Sequence, residues 1–211
     1  EKIRQEIIDL GGEVRFGQKV VGFAIEDQAL KGITLESGEY LEADHVVLSL
    51  GHSARDTFEV LFKAGVYMEA KPFSVGFRIE HPQSVIDRAR LGPHSGHPLI
   101  GAADYKLVHH AKNGRSVYSF CMCPGGYVVS SGTESDGIVS NGMSNYKRNS
   151  PFANAAIVVS VDHASSFGND VFAGIKFRRE LEQKAKSAVE AKGGTKQLPT
   201  QTVFNFLAKK E

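Results

Sequence analysis

At 211 residues, with 41% hydrophobic and 23% charged residues, the chain has the makeup of a folded globular protein. A formal net charge of +1 gives no bulk attraction to nucleic acid or to an anionic membrane surface. The longest apolar run, Ala155–Val159, is far too short to cross a bilayer, and two cysteines make no disulfide framework. Glu1–Leu10 reads as a helix with Ile3, Ile7 and Leu10 on one face, ended by Gly11-Gly12. Val14–Phe16, Lys19–Ile25, Leu30–Leu35 and Tyr40–Leu41 are strand-like, and Asp27-Gln28 and Ser37-Gly38 supply turns for an antiparallel meander. Val46–Leu50 is short and almost wholly apolar, the pattern of a strand buried on both faces of a parallel sheet. Gly51 then lets the backbone turn sharply, and Ser53 caps a helix carrying Ala54, Phe58, Leu61 and Phe62, with Gly65 as its stop. A strand ending in glycine at the mouth of an α/β sheet is where such sheets hold nucleotides.

Residues 67–165 are strand-rich: Val66–Ala70, Phe73–Glu80, Leu107–His109, Val117–Met122, Tyr127–Ser131 and Ala156–Val161. Pro82 starts a short helix with Val85, Ile86 and Ala89 on its inner face. Residues 166–211 read as mostly helical, with one helix over 174–192 and a shorter one after Pro199. The expectation is an α+β fold: an antiparallel β-rich insertion at 67–165, a helical close at 166–211, and the edge of an α/β domain at 1–66. No glycine-rich dinucleotide fingerprint follows a strand, and no phosphate-binding G-x-x-x-x-G-K-[ST] occurs. The chain therefore reads as the middle piece of a longer protein.

Three constellations stand out chemically. Val117–Val129 reads as a β-hairpin with Pro124-Gly125-Gly126 at its turn, and strand alternation sets Cys121 and Cys123 on one face. They are either two small packing residues or a thiol pair that acts as nucleophile or redox partner. Asn141-Gly142-Met143-Ser144, with Tyr146, Arg148, Asn149 and Asn154, reads as a polar loop offering amide and guanidinium donors. On Lys71–Gln83, Arg78 and Glu80 share a strand face within pairing reach, and His81 sits at a helix entry. His94, His97, His109 and His110 lack nearby carboxylates other than Asp104, so no metal site is assigned.

The order helix, GGEV, meander, apolar strand and Ser49-Leu50-Gly51 resembles flavoproteins with two dinucleotide-binding domains. KPFSVGFRIEHPQ, YSFCMCPGG, NGMS with Arg148 and Asn154, GIKFRRELEQKA and LPTQTVFNFL together resemble bacterial FAD-dependent dehydrogenases, or NAD(FAD)-utilising oxidoreductases. The resemblance implies an FAD domain interrupted by a β-rich substrate domain, with the flavin at their junction and NAD(P)H as a possible electron donor. In that reading Gly51 and His52 lie near FAD, and Cys121, Cys123, Arg78, Asn141 and Arg148 wall a small-molecule substrate cavity. Arg78 or Arg148 anchors an anionic substrate, and a cysteine faces the reacting carbon or the flavin. The rival reading is a non-catalytic domain that binds a small molecule or a partner subunit, using Phe120 and Tyr127 at an interface. Two cysteines and no Asn-x-Ser/Thr acceptor suit a reducing cytoplasm, with no membrane or nucleic-acid partner expected and the oligomeric state open.

Overall fold

The computed structural model describes residues 1–132 and 134–210. The fold is α+β, and every strand ladder among the described residues is antiparallel. The chain divides into two compact units, Glu1–Glu69 and Ala70–Glu211.

The first unit contains helix α1 (Lys2–Asp9), strands β1 (Val20–Glu26), β2 (Ala29–Leu35) and β3 (Tyr40–Glu42), and helix α2 (Arg55–Lys63). The three strands form the expected meander in the order β1-β2-β3. Asp27 and Gln28 both take positive φ, at 49° and 63°, which is the geometry a two-residue hairpin requires. Leu35 and Leu61 are buried, and the Lys19–Asp56 ion pair at 2.7 Å joins the chain before β1 to α2.

Two expected strands do not form here. Val14–Phe16 and Val46–Leu50 pair with no strand among the described residues, and Val47 is 90% exposed. A parallel strand exists only through hydrogen bonds to its neighbours. Among the described residues no ladder receives either segment. The apolar face of α1 is likewise uncovered, with Ile3, Ile7, Ile8 and Leu10 exposed.

The second unit is built on a four-stranded sheet of order β4-β9-β6-β5. Its strands are β4 (Phe73–Pro82), β5 (Val108–His110), β6 (Ser116–Cys123) and β9 (Phe152–Val161). A separate ribbon pairs β7 (Gly126–Ser130) with β8 (Ser140–Ser144). The central strand β9 carries the tightest core, with Ala153, Asn154 and Ala155 all fully buried. Small side chains there let neighbouring layers approach on both faces. The helices are α3 (Gln83–Leu91), α4 (His163–Phe167), α5 (Ala173–Glu190) and α6 (Val203–Leu207). Arg179 bonds Glu134, Gln183 bonds Asp136, and Lys186 bonds the Ser135 carbonyl, so α5 holds the loop that follows β7.

Several local expectations are corrected. Val66–Ala70 forms no strand. Cys123 to Gly126 is not a hairpin turn, because β6 pairs with β9 and β5 whereas β7 pairs with β8. The chain crosses from one sheet to the other at Pro124-Gly125-Gly126, where all three residues are buried. A Cβ on Gly125 would overlap the Arg148 carbonyl, so the crossing needs glycine. The inner residue of α3 is Gln83, while Val85 is exposed.

Candidate functional site

The site grows from Arg78, placed by the alternation of β4 on the side where β6, β8 and β9 meet it. Its Nη1 donates to Asn154 Oδ1 at 2.5 Å and to the Cys121 carbonyl at 3.1 Å. The same nitrogen lies 3.9 Å from the Cys123 sulfur. Nη2 donates to Asn141 Oδ1 at 3.3 Å. Arg78, Asn141, Cys121 and Cys123, which the sequence reading assigned to one wall, are thus brought together around one guanidinium. Asn154 is the residue at its centre.

Asn154 is fully buried, and its Nδ2 has no hydrogen-bond partner among the described residues. Its register sets it opposite Glu80 on β4 and Cys123 on β6. Gly142 crosses directly over the pair: a Cβ there would overlap both Asn154 Oδ1 and Arg78 Nη1. Only a residue without a side chain lets β8 pass this close.

The two cysteines do not share a face. A register shift between Phe120 and Cys123 breaks the period-two alternation, and Cys121 takes a positive φ of 47°. The bulge turns the Cys121 carbonyl toward Arg78 and leaves the residue exposed, whereas Cys123 is only 7% exposed. The Cys123 thiol donates to the Cys121 carbonyl at 3.5 Å. Burial pushes the Cys123 thiol up from its ordinary value, although Arg78 opposes the shift. That holds it protonated, the reverse of what a nucleophilic thiolate needs.

Behind this wall, Gln83 fixes the crossing strand. It is buried; its Oε1 accepts from Gly125 N–H at 2.8 Å, and its Nε2 donates to the Ala103 carbonyl at 2.9 Å and to Asp87 at 2.7 Å. The signal for Gln83 is weak, a polar residue just after a helix-starting proline. Asn154 gives a stronger one, since an amide between alanines in an apolar strand must find a buried partner.

Other expected residues stand apart. Among the described residues Arg148 makes no hydrogen bond or ion pair with the Arg78 group; it lines a cleft with Arg90, Ile100, Ala103 and Asp104. Its positive φ of 47° belongs to a turn closed by Arg148 N–H to the Asn145 carbonyl at 3.0 Å. Arg78 and Glu80 do not pair, and Glu80 instead accepts from Val128 N–H at 3.4 Å. His81 Nε2 meets the Tyr105 hydroxyl at 2.9 Å, while its buried Nδ1 has no partner among the described residues.

In the first unit, Gly51 has φ +68° and nothing within 4 Å of where a Cβ would point. Gly11, Gly17 and Gly38 are equally open, so this geometry does not by itself mark Gly51 as a cofactor contact. The exposed His52 ring bonds the Ser53 hydroxyl at 2.5 Å. Among the described residues no cluster of three or more His, Cys, Asp or Glu has metal-binding geometry, and no helix is long and apolar enough to cross a membrane.

A family model described as FAD-dependent protein, C-terminal domain-like, matches residues 72–211. An uncharacterized protein of Clostridium beijerinckii is 41% identical over 208 residues, covering 98% of this chain. The chain spans 38% of that relative's length.

Proposed function

The chain belongs to the FAD-dependent protein family defined by this C-terminal-like domain, and from that premise we propose that it is the middle part of a bacterial FAD-dependent oxidoreductase, a dehydrogenase. In this reading residues from Ala70 onward supply the substrate wall, through Arg78, Asn141, Asn154 and the two cysteines. Gly51 and His52 contribute on the cofactor side. The observation that carries the reading is the convergence of three separate strands, β6, β8 and β9, on the Arg78 guanidinium of β4 inside the family-matched region. A bound flavin supplies hydride exchange, and the protein's tasks are binding, orientation and exclusion of water.

Within that wall the cysteines divide the work. Cys121, exposed at the bulge, gives its carbonyl to the wall and keeps its thiol open to reagents, whereas the buried Cys123 sulfur lies 3.9 Å from Arg78. NAD(P)H is the proposed electron donor, and a reducing cytoplasm suits two free thiols.

The test uses the full-length parent loaded with FAD and bleached by NAD(P)H without oxygen. Alkylating Cys121 should shift the flavin absorbance and slow the bleaching, and Cys121→Ser should slow turnover while leaving the protein folded. An unchanged spectrum and rate in both would remove the cysteine wall from the flavin. Failure to hold FAD at all would remove the whole reading.

A further inference from the structure

We propose that the Arg78 guanidinium binds the carboxylate of a small-molecule monoanion through the N–H donors that its protein partners leave free. This deepens the substrate-wall reading and rests on it for its role in turnover, though not for the binding itself.

A guanidinium has five N–H groups in a rigid planar fork. On Arg78, two Nη1 donors serve Asn154 Oδ1 and the Cys121 carbonyl, and one Nη2 donor serves Asn141 Oδ1. Nε–H and one Nη2–H are left over among the described residues. Two free donors on one guanidinium can each meet an oxygen of a carboxylate.

Charge points the same way. Arg78 is half-buried, yet all its oxygen partners are neutral, and no carboxylate among the described residues lies within 4.0 Å of it. A cation withdrawn from water without a counter-ion is costly, and a bound anion relieves that cost. Glu80 lies two residues along the same strand, but it is turned to Val128 N–H.

Geometry makes the fork ready. Gly142 lies so close over the guanidinium that a single added carbon would collide, and Asn154 and Asn141 hold its two ends. The plane of the group is set before any ligand arrives, which lowers the ordering cost of binding. One positive charge and a planar fork match a planar monoanion. A phosphate dianion would leave a second negative charge uncompensated, since no second cation among the described residues bonds to this group.

The test follows the arginine Nε–H resonances of the protein by NMR during titration with sodium acetate, against sodium chloride at equal ionic strength. The Arg78 Nε–H signal should move and saturate with a dissociation constant of roughly 1 mM. Inorganic phosphate should bind more weakly, because its second charge meets no cation here. Asn154→Asp places a carboxylate on Nη1 and should weaken acetate binding by at least about tenfold while keeping the guanidinium. Arg78→Lys should abolish the saturable response.

No saturation, an equal response to chloride, phosphate binding as tight as acetate, or undiminished binding in Asn154→Asp would each overturn the proposal. The acetate, chloride and phosphate comparison needs no variant, so it holds even where a substitution prevents folding. Flavin colour reports on the oxidoreductase reading and the Nε–H resonance on this one, so the two failures are distinguishable.

Discussion

Replacing Gln83 by leucine removes the anchor of the strand crossing without leaving a hole. Gln83→Leu keeps the volume but strands the Gly125 N–H and the Ala103 carbonyl, both buried, and takes one donor from Asp87. Asp87 retains the Ala103 N–H at 2.8 Å, so its loss is the smallest of the three. Each stranded buried backbone group costs about 1–3 kcal/mol, and the easier burial of leucine returns part of that. The net expectation is about 3 kcal/mol of lost stability, enough to raise the unfolded population by about two orders of magnitude. With a urea slope of about 2 kcal/mol per molar, the unfolding midpoint falls by about 1.5 M. Amide exchange gives the local readout: Gly125, whose N–H is held by the Gln83 side chain, should lose its protection. A midpoint shift below about 0.5 M together with unchanged Gly125 exchange would refute the anchoring argument.

Thiol labelling at neutral pH should separate the cysteines, with Cys121 reacting at least about tenfold faster than Cys123, because only the first is exposed and the second is held protonated. Since burial raises the Cys123 thiol in the folded state, its contribution to stability is full below the ordinary thiol range and is lost as pH rises through the raised value; Cys123→Ala should flatten that alkaline decline. Gly142→Ala forces the Arg78 side chain off Asn154 and should bring Cys123 labelling close to the Cys121 rate; unchanged labelling would show that β8 yields instead.

Legibility in the sequence followed how local each determinant is. The meander, β4, β6, β9 and α5 are readable because turn residues, alternation or helical spacing mark them within the segment itself. Val14–Phe16 and Val46–Leu50 carry the composition of strands, but a strand is completed by a partner, and none among the described residues pairs with them. Pro124-Gly125-Gly126 has the chemistry of a hairpin turn, yet the pairing of β7 with β8 decides its role. The strand β8, Ser140–Ser144, is too polar to announce itself and exists through that pairing.

The site was legible in its residue types and not in its geometry. Arg78, Asn141 and Cys123 meet by their side chains and Cys121 only by its carbonyl, and the bulge that parts the cysteines leaves no trace in the alternation of YSFCMC. Arg148 shares a motif with Asn141 and yet faces a different cleft, because the turn at Asn145–Arg148 swings it away. Asn154, set between alanines, is the one central residue whose importance follows from burial physics alone.

The most direct test of the account is the visible absorbance spectrum of the full-length parent after incubation with FAD, removal of the excess, and addition of NAD(P)H under anaerobic conditions. The expected result is retained flavin bands that bleach on reduction. A colourless protein, or a yellow one whose bands no nicotinamide or other reductant bleaches, would contradict it.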